Sequence, residues 1–223
     1  MLTIQDIIYA YEPLKNDTQR EAMESYMKHN FPFLGISKRE TAPIMKMLFK
    51  KGLPETKVDT IQLVNDCFNQ KEREYHYIGM TILNHNRSYF DVTDLDYIET
   101  LLKHNSWWDS IDTIAPNIVG TIVLEDRGNG EIIMRKWNQS DDFWIQRASL
   151  LHQLKYKTKM NEELLTDFIL NTKDDKEFFI RKAIGWVLRE YSKTNPDFVT
   201  QFVATHELSG LSSREALKWL NRK

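Results

Sequence analysis

The 223-residue chain is 41% hydrophobic and 28% charged, the balance of a globular protein, and its formal net charge of −2 excludes a non-specific electrostatic grip on nucleic acid, so any basic surface has to be local. With only 8 Gly and 6 Pro it is poor in turn formers, which argues for helices, and its length suits one sizeable core or a short repeat array. Its single cysteine, Cys67, excludes an internal disulfide, and no apolar run is long enough to span a bilayer, so a cytoplasmic setting is expected.

The first segment, Leu2 to Tyr11, reads as a short apolar helix. It carries Asp6 and lacks the basic start and apolar run of a signal peptide. Thr18 to Lys28 reads as a polar helix with Met23, Tyr26 and Met27 on its apolar side. Residues 31–36 break the pattern and are expected as a buried turn. Ser37 and Glu40 then fit a capping box, Pro43 predicts a restart of that helix near Thr41, and Gly52 is the expected C′ residue. These irregular helices fill residues 1–56.

From Lys57 onward helix pairs follow one another: 57–69 with 71–85, 94–103 with 107–124, 129–138 with 141–156, 161–172 with 176–192, and 196–206 with 212–222. Loops are short, strand-like alternation is missing, and the pairs recur about every 35 residues. The segment from Phe143 to Ala148 aligns without a gap on Phe178 to Ala183. The expectation is an all-α protein of one domain, residues 1–223, built as an α-α superhelix of HEAT- or armadillo-like helix pairs with a concave surface.

The repeat sets side chains against one another. Arg147 and Lys182 hold equivalent slots on successive second helices, and Trp186 lies one turn beyond Lys182. One repeat earlier the slot falls on Ile111 or Asp112, depending on how the segments are aligned, with Trp108 one turn before Asp112. In the register that favours Asp112, the set Trp108, Asp112, Arg147 and Trp186 converges on one wall. Such a mixture makes a poor core and a good ligand surface. Trp107 and Asp109, on the other side of that helix, read as packing and solvent.

Five segments carry a resemblance that spans nearly the whole chain. They are Phe33-Leu34-Gly35-Ile36, Glu74-Tyr75-His76-Tyr77, Ser106-Trp107-Trp108-Asp109-Ser110-Ile111-Asp112-Thr113-Ile114-Ala115, Trp144-Ile145-Gln146-Arg147-Ala148 and Arg181-Lys182-Ala183-Ile184-Gly185-Trp186. With them the chain resembles the AlkD-type DNA alkylation repair glycosylases, a family built from HEAT-like repeats. The resemblance implies a monofunctional glycosylase that removes cationic alkylated purines from double-stranded DNA. It carries the catalytic acid over to Asp112, the two flanking rings to Trp108 and Trp186, and a phosphate-side arginine to Arg147. The alternative for Arg147 is a structural ion pair with Asp112 or Asp109, which would also hold Asp112 ionised and in place. The acidic balance of the chain departs from the excess of Lys and Arg usual in DNA binders.

A duplex needs a basic strip, for which the candidates are Lys155, Lys157, Lys159, Arg181, Lys182, Arg189 and Lys193, with Lys38 and Arg39 near the N-terminal turn. The histidines at 29, 76, 85, 104, 152 and 206 have no ligand spacing with one another or with Cys67, and no phosphate-binding glycine pattern is present. No metal or cofactor is expected. A monomer is, because the active face has to stay open to a duplex. Two other classes fit a HEAT array: a peptide-binding scaffold, with Trp108 and Trp186 as aromatic pockets, and a binder of bent or branched DNA without chemistry. The carboxylate discriminates between them, since an anion facing DNA makes sense mainly where a cation forms.

Overall fold

A computed structural model describes residues 1–222. The described residues form helices joined by turns, with no strand, and divide into two compact units, 1–90 and 91–222. No helix among them is long and apolar enough to cross a membrane.

Unit one begins with α1 (Ile4–Tyr11), capped by Thr3 and Asp6, and α2 (Asp17–Tyr26), whose N-cap Asn16 accepts from the amides of Thr18 and Gln19. Met27 is buried as expected, but Tyr26 is 69% exposed and lies off the apolar side. Residues 33–36 then run buried without helical bonds. The Glu74 carboxylate accepts from the amides of Leu34, Gly35 and Ile36 at 3.0, 2.9 and 3.1 Å, and Glu24 accepts from that of Phe33 at 3.1 Å. Gly35 sits at φ +84, and a Cβ there would stand 2.1 Å from the Asn16 carbonyl, so no other residue fits. Two of the five resemblance segments therefore serve to hold each other.

The capping box of Ser37 and Glu40 opens α3 (Lys38–Lys50). The restart expected at Pro43 does not occur, and the helix runs through it. Pro43 is its sixth residue, so the only bond lost is to the carbonyl of Arg39 in the first turn, which the capping box already secures. Gly52 ends the segment at φ +110 and accepts from the Leu2 amide at 2.7 Å. The first regular pair, α4 (Lys57–Phe68) and α5 (Arg73–His85), completes the unit.

Unit two holds α6 (Leu95–Lys103), α7 (Trp108–Ile114), α8 (Gly120–Glu125), α9 (Arg127–Asn138), α10 (Phe143–Leu151), α11 (Glu162–Thr172), α12 (Phe178–Tyr191), α13 (Pro196–Thr205) and α14 (Gly210–Leu217). The expected pairs are all present, with two shortened. The helix expected over 141–156 stops at Leu151, because the next residues turn and bury, and Tyr156 donates to the Gly120 carbonyl at 2.6 Å. The last helix ends at Leu217 rather than 222, a short turn of 3-10 helix following at Leu220–Arg222.

The second helices of the first four pairs start at residues 73, 108, 143 and 178, each 35 residues after the one before, and that of the fifth starts at Gly210. In unit two, α10 packs between α7 and α12. Their inner positions, Ile111, Ile114, Ile145, Ala148, Ile180, Ala183, Ile184 and Val187, are almost wholly buried. Each large aliphatic side chain there contributes about 1.5–3 kcal/mol relative to exposure. Equal spacing and parallel packing give matching positions on the three helices matching surroundings.

Candidate active site

With the starts fixed at 108, 143 and 178, Asp112, Arg147 and Lys182 are each the fifth residue of their helix. The register left open between Ile111 and Asp112 is thereby decided: Ile111 is fully buried, and Asp112 takes the ladder position. A slip of one residue rotates a side chain by about 100°, so the same packing that buries Ile111 turns Asp112 toward α10.

There it meets Arg147. The guanidinium binds the carboxylate with two parallel bonds, Nε to Oδ1 at 2.8 Å and Nη2 to Oδ2 at 3.0 Å. Its remaining nitrogen, Nη1, donates to the Phe179 carbonyl at the start of α12. Three successive second helices are thus tied through one side chain. The two partners differ in exposure, 5% for the Arg147 side chain and 18% for that of Asp112. The arginine is closed in, whereas the carboxylate keeps one edge open. Each carboxylate oxygen accepts one bond from Arg147 and retains a lone pair for another partner.

Burial is the main influence on the Asp112 carboxyl and pushes it up to about 6. Arg147 pulls the other way without cancelling the effect, and the neighbouring Asp109 adds to the rise. Chemistry that needs the carboxylate should therefore fall as pH drops through about 6, approaching tenfold per unit below it. Stability runs in the opposite direction. The folded state holds this proton more tightly than the unfolded chain, so the contribution of Asp112 to folding improves as pH falls through the same window. A pH–rate profile measured well below the unfolding transition checks the acid limb, because the buried His152, pushed down to about 4, weakens the fold over the same range and makes Tm no guide to Asp112 alone.

The wall beside the pair is aromatic. Trp107 packs against Trp144 and Phe179 at ring-centre distances of 5.6 and 5.4 Å, and Trp144 against Phe143 and Phe179 at 4.6 and 4.8 Å. The Arg147 guanidinium lies 5.9 Å from the Phe179 ring centre. These rings come from aromatic doublets at the start of successive second helices, Trp107-Trp108, Phe143-Trp144 and Phe178-Phe179, the first lying one residue earlier in the 35-residue register than the other two. Trp107 is packing, and through this cluster it helps to fix where Arg147 and hence Asp112 stand. The doublets are the signal in the sequence that could have revealed it.

The turn after Asp112 is also unusual. Pro116 has no N–H to offer the Asp112 carbonyl four residues back, and the helix opens into a wide turn over Ala115–Val119. Asn117 bonds the Thr113 carbonyl with its side chain, and Gly120 restores the helix. A Cβ on Gly120 would lie 2.2 Å from the His152 carbonyl, so a larger residue would push the turn off α10.

A family model described as DNA alkylation repair enzyme matches residues 7–220. The chain belongs to the DNA alkylation repair enzyme family. Among solved structures, a predicted DNA alkylation repair enzyme from Enterococcus faecalis matches with a TM-score of 0.87 and 33% identity, covering 94% of this chain and 98% of that one. No curated protein matches the chain.

In this member of the DNA alkylation repair family, the expected site residues divide into groups. Asp112 and Arg147 are brought together directly. Trp108 is half-buried at the first position of α7, one turn before Asp112, and Trp186 is half-buried on α12, one turn after Lys182. The expected basic strip is largely engaged. Lys182 and Arg189 pair with Glu215, Lys193 with Glu190, and Arg181 donates to the Asp175 carbonyl at 2.9 Å. Lys155 bonds the Asn117 side chain at 2.5 Å. Lys38, Arg39, Lys157 and Lys159 are exposed. Lys218, on the same carboxylate as Lys182 and Arg189, was not among the candidates.

Proposed function

We propose that the protein is a monofunctional DNA glycosylase that removes cationic alkylated purines, 7-methylguanine and 3-methyladenine, from double-stranded DNA. The observation that carries this reading is the Asp112 carboxylate, partly desolvated and fixed by a bidentate arginine, with an open edge. An alkyl group on N3 or N7 makes the purine a cation and a good leaving group. As it departs, positive charge develops on the deoxyribose. A unit charge pair at 4 Å is worth roughly 4 kcal/mol at an effective dielectric near 20. Made mainly in the transition state, that corresponds to about a thousandfold in rate.

The free lone pairs of Asp112 also suit it to orient the attacking water. Trp108 and Trp186 supply ring faces that favour the developing cation. Arg147 acts through Asp112 as a positioning residue, since each of its three nitrogens bonds the carboxylate or the Phe179 carbonyl and its side chain is only 5% exposed. Lys182, the lysine in the ladder position, is held by Glu215 at 3.1 Å rather than offered as a Schiff-base nucleophile, so the base leaves without strand cleavage. The chain works as a monomer whose active face stays open to the duplex.

The test is release of free base from methylated duplex DNA. We expect 7-methylguanine and 3-methyladenine to be freed, and neutral 1,N6-ethenoadenine to stay, because only a cationic base leaves with electrostatic help alone. Efficient release of the ethenoadenine would overturn the mechanism. Binding of DNA with no base released would leave a non-catalytic DNA binder.

A further inference from the structure

One face of α12 carries Lys182, Gly185, Trp186 and Arg189, at spacings of three, four and seven residues. Against it α14 sets Glu215. Lys182 Nζ lies 3.1 Å from Glu215 Oε1, Lys218 Nζ lies 3.9 Å from the same oxygen, and Arg189 Nη1 bonds Oε2. Three cations thus converge on a single carboxylate, leaving a surplus of two positive charges beside Trp186. The approach is built into the backbone: a Cβ at Gly185 would stand 2.5 Å from the Glu215 Cβ, so only glycine admits the acid this close.

We propose that Glu215 occupies a phosphate site in the DNA-free protein, and that a phosphodiester of the duplex displaces its carboxylate from Lys182, Arg189 and Lys218. The inference rests on the glycosylase reading and deepens it by naming where the backbone next to the lesion is held. A carboxylate that accepts from a guanidinium and one ammonium group, with a second ammonium 3.9 Å away, presents the same anionic oxygens as a phosphodiester. The cations are only partly buried, with side-chain exposures of 35, 27 and 50% for Lys182, Arg189 and Lys218, so an incoming anion can reach them. Glu215 itself is 16% exposed, and the surrounding cations hold its carboxyl below the ordinary range despite the upward push of burial. It stays an anion at neutral pH and competes with DNA. This also explains how a chain of net charge −2 can keep a basic site without displaying it.

The experiment compares wild type with Glu215→Gln for binding of an undamaged fluorescent duplex across a salt series. Glutamine keeps the volume against Gly185 and removes the charge, and thermal unfolding confirms that the fold is retained. We expect Glu215→Gln to bind about three- to tenfold more tightly, the range of a partly exposed ion pair. The gain should persist along the salt series with a similar slope, because the same phosphate is held in both proteins. Adding Lys218→Ala to Glu215→Gln should reverse most of the gain. Unchanged or weaker binding in a folded Glu215→Gln overturns the proposal and leaves Glu215 as a structural latch. If wild type binds DNA and only the variant fails to tighten, the glycosylase reading stands. If wild type does not bind DNA even at low salt, both fall together.

Discussion

Replacing Asp112 with asparagine lowers the release of 7-methylguanine from methylated DNA by at least about a hundredfold, the scale of removing one preorganised electrostatic contact from a transition state. Asparagine has nearly the same volume and keeps one oxygen for Arg147, so the aromatic wall and the turn at Pro116 should stay in place. Two things are lost: the anion that faces the developing sugar cation, and one of the two parallel bonds at 2.8 and 3.0 Å, since an amide N–H cannot accept from the guanidinium. DNA binding should be retained or slightly strengthened, because the variant removes a negative charge from a face that meets phosphates. That pattern of normal binding and lost release marks a residue working in the transition state. Activity within tenfold of wild type would show that Asp112 is a structural partner of Arg147 and that the catalytic anion lies elsewhere.

The Arg147→Ala variant should lose about 3–5 kcal/mol of stability, the cost of leaving one partner of a buried ion pair alone. Its side chain is 5% exposed and joins α7, α10 and α12 through Asp112 and the Phe179 carbonyl, so no water readily replaces it. Below the melting transition the surviving activity distinguishes positioning from mere support. Without the guanidinium the Asp112 carboxyl should rise further above its value of about 6, because the influence that opposes burial is gone. The acid limb of the pH–rate profile should therefore move to higher pH in Arg147→Ala. Arg147→Lys should restore most of the limb but not the full rate, since an ammonium supplies the charge without the two-point grip. An unshifted limb in Arg147→Ala would confine Arg147 to a structural role.

Much of the fold was legible because its signals are local. Apolar spacing, the boxes at Ser37 and Glu40, the C′ glycine at Gly52 and the 35-residue recurrence depend on neighbours along the chain, and each appears where it was read. Two misreadings have different causes, one local and one set by a neighbour in space. Pro43 is tolerated because its missing bond falls in an already capped first turn, and the helix after Phe143 stops early because residues 152–156 fold back onto Gly120.

At the site, residue types and spacing marked Asp112, Arg147, Trp108 and Trp186, but spacing alone left Ile111 and Asp112 as rivals for one slot. Burial of Ile111 settles that choice, because only packing between α7 and α10 selects which of two adjacent residues faces inward. The same packing turns Arg147 onto the carboxylate instead of outward. It gathers Trp107 with rings from two later repeats and gives Lys182 and Arg189 to Glu215. Composition and periodicity sufficed for the helices and the family motifs, since both are written in short-range patterns. The Arg147–Asp112 pair was legible only as one of two alternatives and the cluster on Glu215 not at all, because a side chain's partner is chosen by helices that meet only after the chain has folded.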